Sequence, residues 1–331
     1  MKNEKQSVRQ SQDCPDSTEE QNQPPKNLMT NPPKKDYFLP ISVMISAVFI
    51  VTALMYKTGF ENPNNAKKVA ISANAENIQG SAIEGEILPS EGFVLPVRWG
   101  DLGVKMTNAG VIDKQKLEML YAERGGLSGE EKKLLENTEN GKLRITEKNS
   151  GFLLNLFWAL GLGTKNDILS RGEMIDPRYG GAGNFASTGG WTLANGDAMD
   201  HYSRHPFIVL TPEKQQLVLR VSKNIYRPCC NNATHFPDCN HGMAMLGLLE
   251  LMASQGVGEN EMYQVALQVN SFWFPENYLT IAQYLASKGI AWNDADPKEI
   301  LGMNYSSGSG YRKILSEVTN PVKKSDGSCG V

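Results

Sequence analysis

A run of twenty residues without a charge, Tyr37 to Tyr56, constrains this chain more than any other feature. As a helix at about 1.5 Å per residue it is about 30 Å long, the thickness of a bilayer's hydrocarbon core. Asp36 bounds it on one side and Lys57 on the other. Tyr37 and Phe38 at one end, and Tyr56 at the other, stand where interfacial aromatic belts occur. Pro40 falls in the first turn, where its missing N–H is harmless. The competing interpretation is a buried core helix. A cleaved signal peptide is disfavoured because the leader is 36 residues long, and Ala73-Asn74-Ala75 lies well past the run. The expectation is a single uncleaved N-terminal transmembrane helix, with the membrane as a partner through Tyr37 to Tyr56.

Orientation rests on the flanks. Lys26, Lys34 and Lys35 on one side match Lys57, Lys67 and Lys68 on the other, so the positive-inside rule is balanced. The short polar tail and long C-terminal portion then favour a cytoplasmic N-terminus and an extracytoplasmic C-terminal domain. Residues 1–36 carry six basic and six acidic residues and almost no apolar cluster, the composition of a disordered tail. Residues 57–90, with Asn-Pro-Asn-Asn at 62–65, are expected to be a linker. The folded part is placed at 91–319, followed by a flexible polar tail at 320–331.

That part is expected to be mostly all-α. Thr211-Pro212-Glu213 is a helix start, and Leu217, Val218, Val221 and Ile225 recur on one face up to Arg227-Pro228. The stretch from His241 to Gln255 is apolar nearly all round, which predicts a central buried helix ending at Gly256. Helices are also predicted at 114–123, 128–137, 261–274, 276–288, after Asp296-Pro297, and at 306–318. Alternating strands are scarce.

The chemistry concentrates in one segment. The chain has four histidines and five cysteines, and seven of these nine residues fall within 201–241: His201, His205, Cys229, Cys230, His235, Cys239 and His241. Cys14 and Cys329 lie far away. Cys229 and Cys230 follow the 211–226 helix, and Cys239 and His241 open the next one, with Asp238 or Asn240 as its cap. Two packed helices would pin both ends of this connection. His201 and His205, four apart, would share a helix face and complete or flank the site.

Thiolate with imidazole suits zinc, or copper where the site is soft, and a structural zinc site takes four such groups in a tetrahedron. Adjacent Cys229 and Cys230 do not easily chelate one ion together. Met243 and Met245 could favour copper(I), yet they also fit the buried helix. The spacing matches no paired Cys-x₂-Cys unit and no haem-attachment motif. Two other interpretations compete. Outside the cytoplasm Cys229, Cys230, Cys239 and Cys329 make an even set for disulfides, giving a stapled interaction domain. Alternatively Cys239 at a helix N-terminus, with His235 or His241 as base, would be the nucleophile of a thiol-dependent envelope enzyme.

Remaining features narrow the classes. The formal net charge of −3 and pI near 5.9 give no basic field to draw nucleic acid. The glycine-rich stretch 180–197 lacks the phosphate-loop order, and Gly181, Gly183 and Gly189 are expected to serve turns beside the Cys/His segment. Trp99 and Trp273 are expected to be core or capping residues, and no carboxylate pair suggests a glycosidase. Nothing in the sequence names a protein partner or small ligand.

Overall fold

The computed structural model describes residues 83–319 together with 321 and 322. The anchor Tyr37 to Tyr56, the tail 1–36, most of the linker, residues 323–331, Cys14 and Cys329 lie outside the described residues. Among the described residues, no helix is long and apolar enough to cross a membrane.

The described fold is dominated by helices, as expected, with one two-stranded sheet that the sequence reading does not anticipate. Strand β1 (Phe93–Gly100) pairs antiparallel with β2 (Asn140–Ile145), from Phe93 against Ile145 to Gly100 against Asn140. The register shifts between Val94 and Arg98, around Pro96, which has no N–H to give to a ladder. Leu95, Val97 and Trp99 alternate inwards and are buried. Ile87, placed in the linker by the sequence reading, is buried too, and its carbonyl accepts a bond of 2.7 Å from Gln268 Nε2.

Three helices lie between the strands: α1 (Leu102–Asn108), α2 (Lys114–Ala122) and α3 (Gly129–Glu136). Asp113 caps α2 by accepting from the N–H groups of Gln115 and Lys116. Ser128 and Glu131 form a capping box on α3. Trp99 Nε1 donates to the Leu134 carbonyl at 2.8 Å, so this indole is buried and satisfied.

The centre is a pair of apolar helices. Helix α4 (Ser150–Gly163) is buried from Phe152 to Gly163, and a short α5 (Asp167–Arg171) follows it. After α6 (Pro212–Ser222), helix α7 (Asn240–Ser254) is buried from His241 to Ala253. Gly161 of α4 and Gly247 of α7 meet at the crossing. A Cβ on Gly161 would collide with the Met243 carbonyl oxygen, and one on Gly247 with that of Phe157. The two backbones therefore touch directly.

Helix α6 begins at its Thr211 cap as predicted but ends at Ser222, short of the expected 226. Residues 225–226 are claimed elsewhere: Tyr226 N donates to the Leu301 carbonyl, and the Ile225 carbonyl accepts from Thr234 N. Helices α8 (Glu259–Trp273) and α9 (Pro275–Ser287) break at Phe274, before a proline that starts the second. Short α10 (Pro297–Ile300) and α11 (Met303–Ser306) lead to α12 (Gly308–Glu317).

Candidate metal centre

The loop from Arg227 to Cys239 is built around a buried arginine. Its base is closed where Ile225 O accepts from both Thr234 N (2.9 Å) and Thr234 Oγ1 (3.0 Å). Arg227, 1% exposed, points inwards. Its guanidinium donates to Asn232 O (2.9 Å), to Asp238 Oδ1 (2.7 Å) and to Cys239 Sγ (2.9 Å). Asn232 Nδ2 donates to the other Asp238 oxygen at 2.8 Å. One side chain thus ties the loop's start to its end. Gly242 on α7 leaves room for it, since a Cβ there would collide with the guanidinium.

Two distant segments hold the outside of this loop. Gly308 N donates to the Cys230 carbonyl at 2.7 Å and Ser309 N to Asn231 Oδ1 at 2.8 Å, both from the start of α12. Ser187 N donates to the Asp238 carbonyl at 3.1 Å. Phe185 packs edge-on against Phe236 at 5.3 Å. The glycine-rich stretch therefore does lie against the Cys loop, with Gly189 needed because a Cβ would meet the Gly183 carbonyl.

Cys239 is the N-cap residue of α7, and its side chain makes no cap bond. Asp238, expected as a cap, is engaged by Arg227 and Asn232 instead. The freed Cys239 sulfur faces Cys229 Sγ at 3.6 Å. Cys229, Cys239 and His241 bring one ligand atom each within 4.8 Å of one another, and Cys230, Asp238 and Cys239 do the same. Cys230 Sγ makes weak contacts at 3.8 Å to Asn232 O and 3.9 Å to Asp238 Oδ1, besides those to its two neighbouring sulfurs. All three cysteines are free thiols, with Cys229 exposed. His241 is buried, its ring 4.4 Å from that of Phe274 and 5.8 Å from that of Trp273. Its Nδ1 has no hydrogen-bond partner among the described residues.

The three thiols are electrostatically unequal. Bonds from Cys229 and Cys230 hold the Cys239 thiol well below its ordinary range, helped by the Arg227 guanidinium and His241 and opposed by burial. The Cys229 thiol is pushed up, by its bonds to Cys230 and Cys239 and by burial. For Cys230 the Cys229 contact pulls down, but Cys239 and burial outweigh it and push the thiol up to about 11. Burial disfavours charge on Arg227, yet the neighbouring sulfurs reverse the sign and hold it protonated.

The other expected ligands are elsewhere. His201 and His205 lie in a turn after the 3-10 segment Ala198–Asp200 and do not share a helix face. Ser203 between them takes φ 51°, which no helix continues. Their rings still meet, Nδ1 to Nε2 at 3.1 Å, with His201 Nε2 at 3.0 Å from Asn195 O. The His205 backbone is bound to Gly163 O and Lys165 N at the end of α4. His235 turns to Glu173, 3.6 Å away, and burial lowers its pKa. None of these three histidines joins the ligand atoms around Cys239. Met243 and Met245 are buried core residues of α7. Arg227 was not anticipated, since the sequence offers only an arginine beside a proline.

Comparison with protein-family models, curated proteins and solved structures finds no match for this chain.

Proposed function

We propose that this domain holds one transition metal ion, zinc above copper, through Cys229, Cys239 and His241, with Cys230, whose sulfur lies within 4.8 Å of that of Cys239, turning in as the fourth ligand although it adjoins Cys229 in sequence. One observation carries the proposal: the 3.6 Å separation of the Cys229 and Cys239 sulfurs, with His241 in range of both. A zinc tetrahedron with Zn–S bonds of about 2.3 Å has S···S edges of about 3.8 Å. A disulfide brings the sulfurs to about 2.05 Å. The sulfurs thus sit at the spacing of two ligands on one ion. Cys230 is preferred over Asp238 because both carboxylate oxygens of Asp238 are already bonded. Three thiolates and an imidazole around a dication leave one negative charge, which Arg227 balances from 2.9 Å. A closed four-ligand set is the structural type of site, stabilising the loop on which it is built. The domain is then a metal-stabilised interaction module, carried on the membrane by residues 37–56 with its C-terminal part outside the cytoplasm.

The test is elemental analysis of the purified full chain, prepared without chelator, with melting curves taken before and after chelator. The expected result is about one zinc per chain and a lower melting temperature after removal. Cys239→Ser and His241→Ala should each lose the metal. Chain that takes up no zinc or copper, and melts identically with chelator, overturns the proposal.

A further inference from the structure

The cluster carries a second chemistry. We propose that Cys239 and Cys229 are a hydroperoxide-responsive dithiol that closes to an intramolecular disulfide, and that this closure expels the metal. The expulsion rests on the metal-binding function proposed above; the closure itself does not.

Three features favour this pair. The sulfurs are 3.6 Å apart, already in contact and about 1.5 Å from the bonded separation of a disulfide. The partners are unequal: Cys239 is fixed at the head of α7 and bonded to Arg227, whereas Cys229 is exposed and can turn. The backbone around them is held by bonds that do not involve sulfur, at Ile225 with Thr234, Arg227 with Asn232, and Gly308 with Cys230. Closing the bridge therefore leaves the loop's scaffold in place.

The reaction balances with one hydroperoxide. The Cys239 sulfur attacks the peroxide oxygen, an S–O bond forms, the O–O bond breaks, and hydroxide departs to become water. The Arg227 N–H beside that sulfur is placed to steady the departing negative charge. The Cys229 sulfur then attacks Cys239, the S–S bond forms, the S–O bond breaks, and hydroxide leaves as a second water, taking its proton from solvent where the metal holds Cys229 as thiolate and from the Cys229 thiol where no metal is bound. Two thiols are oxidised, one peroxide is reduced to two waters, and the ion loses two ligands at once. Cys230 is left as a free thiol beside the new bridge.

The experiment treats the zinc-loaded full chain with one equivalent of hydrogen peroxide, followed by acid quench, alkylation and digestion before Asp238, which separates the two partners. The expected result is a bridged pair of peptides containing Cys229 and Cys239. One zinc per bridge should reach a chromogenic chelator, and a dithiol reductant should restore zinc uptake. Cys230→Ser should still form the bridge. Cys229→Ser should stop at a sulfenic acid on Cys239 that a cyclic 1,3-diketone traps, and this also holds without metal. Cys239 that remains fully alkylatable after peroxide overturns the proposal, as does a Cys229→Ser variant that bridges through Cys230 at the wild-type rate. A bridge that forms with no zinc to release sinks the metal-binding function alone, whereas chelatable zinc with no bridge sinks the dithiol alone.

Discussion

At the scale of single residues, Arg227 and Glu250 are the two buried charges or potential charges that matter most. Arg227 has partners for its buried N–H groups, so its desolvation is offset. Arg227→Met removes the cation and leaves Cys239 and the Oδ1 of Asp238 without their guanidinium donor. It should destabilise the domain by about 3 kcal/mol in urea unfolding, the usual scale for breaking a buried pair, and should lower metal content. Arg178, whose bond to Asp176 is exposed, should be replaceable without moving the curve. Glu250 is fully buried on α7, bonded to Asn166 through one oxygen, while the other has no partner among the described residues. Burial holds its carboxyl well above the ordinary range, only partly countered by the Asn166 bond. The folded state thus keeps a proton that the unfolded chain releases above its pKa of about 4.3. Stability is full below that pH and falls as pH rises toward the folded pKa. Glu250→Gln should flatten this decline as pH rises above about 4.3, read by urea unfolding at each pH. A wild-type stability that rises over that range would contradict it. The cysteines were legible because five candidate ligands, three Cys and two His, crowd one short loop. The fate of His201, His205 and His235 was not, because proximity along the chain does not fix where a ring points.

At the scale of elements, the contact of α4 with α7 governs the site, since Cys239 and His241 stand at the head of α7. Gly161→Ala forces the helices apart and should cost about 1–3 kcal/mol, the range for overpacking a core, with a parallel loss of bound metal. Gly129→Ala, at an exposed start of α3 with open space around it, should change neither. Denaturant unfolding and metal content measured on the same samples check both. Helix α7 was legible from its length and its glycine stop. Helix α4 was not, because Gly151, Gly161 and Gly163 stand inside it and read as breakers, although Gly161 serves the crossing. Strand β1 escaped for a similar reason: Pro96 interrupts the pattern at the place where the register shifts.

At the scale of the molecule, the candidate centre draws on residues 187, 225–242 and 308–309, which only the finished fold brings together. The described residues hold no span, so the membrane expectation belongs wholly to residues 37–56. Full-length chain should stay in the pellet after an alkaline carbonate wash, and deletion of 37–56 should release it; a full chain that washes off would refute the anchor. Consider finally the bonds from Gly308 and Ser309 to the loop. A ribosome delivers residues in order, so Cys229, Cys230 and Cys239 emerge well before the segment that braces them from outside. For that interval the nascent chain carries three sulfurs with no finished cradle. A chain cut short before Gly308 keeps all three sulfurs and lacks the two bonds that brace Cys230 and Asn231 from outside, so it should alkylate faster at Cys230 than the full chain.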